Sequence, residues 1–151
     1  EGTSKAFGKK FINADREYGG VIDGDGFAVD YTRGQKTSVQ HLERPGMYSI
    51  HNHPQKYLQA NAKKGVIYYN APSGQDLRNW AIGKGKGTIV VSSGNRTMYI
   101  IQRSNNFKPI DFVKGMRKAK STGVRNYDRD VDKWLKDNQK TYGYKYTKKK
   151  F

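Results

Sequence analysis

His51 and His53 stand two residues apart in the string His51-Asn52-His53-Pro54. On an extended strand alternate side chains leave the same face, so both imidazoles project together. Two imidazoles side by side at a strand end are a suitable start for a zinc site, and a catalytic zinc takes three protein ligands plus a water. The chain has no cysteine and only three histidines, so a third ligand must come from a carboxylate or from His41. Asp76 is the first candidate, because Pro72-Ser73-Gly74-Gln75-Asp76 reads as a helix start with Ser73 as N-cap and an acid in the first turn. Ser73 would either cap that helix or donate to a developing oxyanion. Hydrolysis at such a centre also needs a free carboxylate beside the bound water as general base.

Together these strings resemble the signature of the JAMM (JAB/MPN, RadC-like) zinc metalloproteases: His-x-His, then Ser-x-x-Asp, with a glutamate ahead of a glycine-containing apolar strand. Glu17-Tyr18-Gly19-Gly20-Val21-Ile22 fits that last element, and the His-Asn-His-Pro spelling is most like the bacterial and phage branch. The resemblance spans roughly residues 15–102. It implies a cytidine-deaminase-like JAB/MPN fold, Zn²⁺ on His51, His53 and Asp76, Glu17 as general acid and base, and Ser73 at the oxyanion. The implied reaction is cleavage of a peptide or isopeptide bond in a protein or peptide substrate. The stretch from Pro54 to Pro72 is longer than the family's usual spacing and is expected to bulge out beside the site as a tolerated loop. Glu43 is the alternative base. A catalytically dead MPN-type scaffold is the alternative for the whole chain, against which all five motif residues are present.

The elements that must position these residues follow from local patterns. Residues 3–14 have roughly helical apolar spacing and lead to Glu17 as a short helix or an ordered arm. Gly19 to Ile22 and Phe27 to Tyr31, around Asp23-Gly24-Asp25-Gly26, read as a hairpin. Met47 to Ile50 is a strand running into the histidine pair, and it should stop at Pro54, which cannot donate to a ladder. Tyr57 to Lys64 is a candidate helix and Gly65 to Tyr69 a candidate strand. A helix over Asp76–Ile82 precedes a hairpin, Thr88 to Ser92 and Thr97 to Gln102, around Ser93-Gly94-Asn95-Arg96. Ile110 to Ala119 and Val131 to Asn138 read as helices, and Tyr142 to Phe151 as a last strand or a frayed end. The order implies an α+β or three-layer α/β fold around a mostly antiparallel sheet. We expect one JAMM-like domain over residues 1–151, with a basic helical and Tyr/Lys-rich extension from about 105.

Composition bounds the function classes. Among 151 residues the net charge is +16, and mean hydropathy is −0.95. Residues 111–151 carry 13 Lys and Arg against 5 Asp, so an acidic substrate or a nucleic acid is an expected partner of the basic surface. Lack of cysteine excludes disulfides, a Cys nucleophile and the zinc-deaminase pattern. No stretch reaches the roughly 20 apolar residues of a membrane span. The opening Glu1 suggests a fragment of a longer bacterial or phage protein, such as a toxin or effector domain, cytoplasmic or delivered into a target cell. The literal His-Asn-His string leaves a metal-dependent nuclease as an alternative. Gly83-Lys84-Gly85-Lys86-Gly87 is either a phosphate-touching loop or a plain connection, and Tyr142, Tyr144 and Tyr146 either stack on bases or pack inward.

Overall fold

The computed structural model describes residues 2–23, 28–35, 38–54, 70–120 and 127–151. Within these, the chain forms β1 (Tyr18–Ile22), β2 (Ala28–Arg33), β3 (Tyr48–His53), β4 (Gly87–Ser92), β5 (Thr97–Arg103) and β6 (Tyr144–Lys150). Five described helices accompany them: α1 (Gly2–Lys10), α2 (Gly74–Ile82), α3 (Pro109–Lys120), α4 (Tyr127–Asp137) and the short α5 (Gln139–Tyr142). The strands make one sheet in the order β2-β1-β3-β4-β5-β6. All neighbours are antiparallel except β3 and β4, which run parallel. The fold class is therefore α+β around a mostly antiparallel, mixed sheet. A parallel pair needs a crossover connection, and α2 lies within the one that joins β3 to β4. The expected turn at Gly24–Gly26, the candidate helix at Tyr57–Lys64 and the candidate strand at Gly65–Tyr69 lie outside the described residues.

Strand alternation divides the core in two. Ile89 and Val91 of β4 join Ile22, Ile50 and Met98, with Phe7 of α1 packed against them. Val90 of the same strand turns the other way, into a cluster with Tyr99, Ile101, Leu77, Trp80, Phe112 and Leu135. Helices thus cover both faces: α1 on one, and α2, α3 and α4 on the other. The helix α1 sits tight on the sheet at Gly8, where an added Cβ would come within 2.5 Å of Val91 Cγ1. Because Ile50 faces the α1 side, the period of two sends His51 and His53 to the α2 side.

The described residues beyond 105 are built into this core. Trp80 of α2 meets Phe107 at 4.7 Å and Phe112 at 5.6 Å between ring centroids, and Trp134 and Tyr142 complete the aromatic cluster. Such rings bury large apolar area and gain further from edge-on contacts. β6 pairs along the length of β5, so the tail is the sixth strand and not a frayed end. The three tyrosines do not share a strand face for stacking on bases. Tyr142 ends α5, and Gly143, at φ 80°, turns the chain into β6. Tyr144 and Tyr146 then point inward, with their hydroxyls donating to Leu135 O at 2.6 Å and to Asp132 Oδ1 at 2.7 Å.

The Gly/Lys loop after α2 is likewise a connection in which the amides of Gly83, Lys84 and Lys86 already have partners. Lys84 N donates to Glu43 Oε1 and Lys86 N to Met47 O. Arg103 donates to Gly85 O and Trp80 O.

Candidate metal centre

Four side chains from four positions in the chain meet at the end of β3. His51 and His53 are its antepenultimate and last residues, and their Nε2 atoms lie 3.2 Å apart. Asp76, in the first turn of α2, places Oδ2 3.3 Å from His51 Nε2 and 3.3 Å from His53 Nε2. Glu17, just ahead of β1, brings Oε1 to 3.9 Å from His51 Nε2. Glu17, His51 and His53 are all buried, and these three offer ligand atoms within 4.8 Å of one another. The group could hold a metal ion.

Local structure explains why each residue is where it is. Ser73 is the N-cap of α2: its Oγ accepts from Asp76 N, while Asp76 Oδ2 accepts from Ser73 N at 2.8 Å, a complete capping box. The cap fixes the rotamer of Asp76 and aims Oδ2 at the histidines. Glu17 is pinned by its main chain, which donates to Gln35 O and accepts from Gly34 N, both at 2.8 Å. Asn52, between the two histidines and 1% exposed, holds the same segment from the other side. Its Oδ1 accepts from Tyr18 N and its Nδ2 donates to Arg16 O. Gly19 lies directly across from His51 in the ladder, and a side chain there would press on Val39 Cγ2 at 3.1 Å.

The electrostatics follow from bringing two imidazoles and Glu17, all buried, against the partly buried Asp76. Burial alone would push the His51 pKa down. The neighbouring Asp76 carboxylate, with Glu17 behind it, outweighs that penalty and raises His51 to about 9. Asp76 shows the reverse balance. Burial opposes its charge, but the histidines hold its carboxyl well below the ordinary range. Opposite charges within 4–6 Å are expected to act this way.

The donor set also passes a test of size. Ligand atoms on a tetrahedron around an ion with bonds of about 2.0–2.1 Å stand about 3.3 Å apart. The three edges observed here are 3.2, 3.3 and 3.3 Å. Two imidazole nitrogens with one carboxylate suit zinc or a neighbouring transition metal and do not suit Mg²⁺ or Ca²⁺, which prefer all-oxygen shells.

Sequence reasoning brought Glu17, His51, His53, Ser73 and Asp76 to one place, and they are together. The alternative residues are not. His41 Nε2 instead meets Glu43 Oε2 at 3.2 Å. Glu43 bonds the main chain at Lys84, beyond the C-terminal end of α2, whereas Asp76 is at its N-terminal end. Asn52, Asn70 and Asp128 were not anticipated. Only Asn52, flanked by the histidines on the opposite strand face, carried any local signal. Compared with known proteins, the chain matches no family model, no curated sequence and no solved structure.

Proposed function

We propose that the chain is a zinc-dependent hydrolase of the JAMM type that cleaves a peptide or isopeptide bond. The observation that carries this reading is the near-equilateral triangle of His51 Nε2, His53 Nε2 and Asp76 Oδ2, with edges of 3.2–3.3 Å, beside a buried and separate carboxylate, Glu17. His51, His53 and Asp76 would hold the ion. When bound, zinc polarises a substrate carbonyl and lowers the pKa of its water towards 7. Glu17 Oε1 takes the proton of the attacking water and passes it to the leaving amine. The Ser73 hydroxyl accepts from Asp76 N through oxygen, so its own proton remains for a developing oxyanion. The main-chain bonds at Glu17 and the Asn52 clasp fix the backbone from which that carboxylate reaches the site.

A metal-dependent nuclease is the second reading, favoured by the net charge of +16. No described helix is long and apolar enough to cross a membrane. Metal analysis and two substrate panels test the proposal. Purified protein should hold about one zinc per chain, lost in His53→Ala. A panel of peptides and isopeptides should be cleaved and plasmid DNA left intact. Glu17→Gln should keep the zinc and lose turnover by roughly 10²–10⁴-fold. Protein that takes up no zinc, or Glu17→Gln with full turnover, would sink the reading, and cleavage of the plasmid alone would replace it by the second.

A further inference from the structure

His53 has a second polar contact that points away from the ligand triangle. Its Nδ1 lies 3.0 Å from the main-chain oxygen of Asn70. A carbonyl oxygen can only accept, so a proton must sit on Nδ1, which makes Nε2 the ring atom offered towards His51 and Asp76. Metal-bound histidines are commonly fixed in tautomer and orientation by such an outer partner. Here the partner is a main-chain group that needs holding itself.

Two side chains hold it. Ser92 Oγ, at the end of β4, donates to Asn70 Oδ1 at 2.6 Å. Asp128, in the first turn of α4, accepts from Asn70 Nδ2 at 3.1 Å and from Ala71 N at 3.0 Å. A carboxylate accepting both bonds ties the main chain at 70–71 to α4, and the first turn of a helix favours an acid at that place. His53 sits opposite Ser92 in the β3–β4 ladder, so the imidazole and one of its two braces share a strand pair.

We infer that Asp128 is a positioning residue for the metal centre: through Asn70 it fixes the tautomer and ring orientation of His53. The inference rests on the zinc reading above. It also assigns a function to α4, which lies outside the residues whose motifs resemble the JAMM family. Asn70, 17 residues after His53, is clamped by a helix from the C-terminal part.

The test uses the full chain, with Zn²⁺ affinity measured by competition against a chromogenic chelator and Co²⁺ absorption as the spectroscopic signature. Asp128→Ala should weaken Zn²⁺ binding by about 10–100-fold, the usual effect of removing an outer partner, and should alter the Co²⁺ spectrum. Asp128→Asn should restore affinity to within a few-fold of wild type. Its carbonyl can accept from Ala71 N while its amide donates to a reversed Asn70 side chain, whose amide then donates to Ser92. Should Asp128→Ala fail to fold, Asn70→Ala takes its place: it keeps the carbonyl that His53 uses, removes the side-chain bonds to Ser92 and Asp128, and leaves only the Asp128 bond to Ala71 N, and its expected loss is the same.

¹⁵N shifts of the His53 ring in metal-free protein read the tautomer directly, expected as Nδ1–H in wild type and as a mixture in the variants. Wild-type affinity and an unchanged Co²⁺ spectrum in Asp128→Ala, or in Asn70→Ala where that stands in, would overturn the inference. A wild-type chain that binds no Zn²⁺ would instead overturn the hydrolase reading, and the ring shifts would still decide whether Asp128 sets the tautomer.

Discussion

Replacing Asp76 by Asn isolates the charge at the centre from the helix cap. The Asn carbonyl can still accept from Ser73 N, so the capping box that starts α2 keeps its main-chain bond. What disappears is the negative charge 3.3 Å from both imidazoles. In metal-free protein that carboxylate is the main reason His51 rises from 6.5 to about 9 against the opposing effect of burial. At about 1.4 kcal/mol for each tenfold change in acidity, the rise corresponds to about 3 kcal/mol. Because the folded pKa is the higher one, this stability is fully present below pH 6.5 and is lost as pH rises through about 9. Asp76 reports the same interaction from its own side, so it is counted once.

Chemical unfolding in the presence of a chelator should therefore find Asp76→Asn about 2–3 kcal/mol less stable than wild type near pH 6, with the gap closing to under about 1 kcal/mol near pH 10. For a chain of this size that gap is a shift in Tm of roughly 5–10 °C at the lower pH. Excess Zn²⁺ should then raise the stability of wild type by mass action and leave the variant almost unmoved. A deficit of equal size at both pH values would refute the reasoning, since it would mean that Asp76 acts through packing or the cap and not through charge.

Two further outcomes follow from the same geometry. Zn²⁺ binding should release a proton from His51, so the apparent affinity should fall by about tenfold per pH unit below its folded pKa; isothermal titration in buffers of different ionisation enthalpy measures the released proton directly. Asn52→Ala removes the clasp on Arg16 O and Tyr18 N and should cost about 1–3 kcal/mol of stability. It should keep zinc while lowering turnover, because Glu17 loses its fixed position; a variant that loses metal and keeps its rate per bound zinc would reverse that assignment.

The elements that were legible in the sequence are those whose signals are local. Ser93-Gly94-Asn95-Arg96 between two apolar runs became the β4–β5 hairpin. Pro54 follows the last residue of β3, as its missing N–H requires. Ser73 and Asp76 gave α2 its start, and here two sequence readings prove not to be rivals. Capping and aiming at the histidines are performed by one carboxylate oxygen, Asp76 Oδ2. The tyrosine tail misled because its alternation spans two elements: Gly143 takes a left-handed conformation and resets the period. The Asn70–Asp128 contact joins residues 58 apart. A polar contact over that separation leaves no periodicity and no spacing for a sequence reading to find, because only the packing of α4 on the sheet brings the partners together.

The charge at the centre explains why an otherwise basic chain buries acids there. The Asp76 carboxylate, held ionised among the histidines, is negative charge that a bound cation would cancel. Buried charge without compensation is expensive, so the metal-free protein needs a substitute. The proton on His51 partly supplies it: the elevated pKa of about 9 is what the site does with its acids when no cation is bound. Metal and proton then compete for one lone pair, that of His51 Nε2, whereas Asn70 keeps the proton of His53 on Nδ1. The two histidines are therefore unequal partners. His53 is oriented by the Asn70 carbonyl at Nδ1, and His51 answers chiefly to the charge of Asp76.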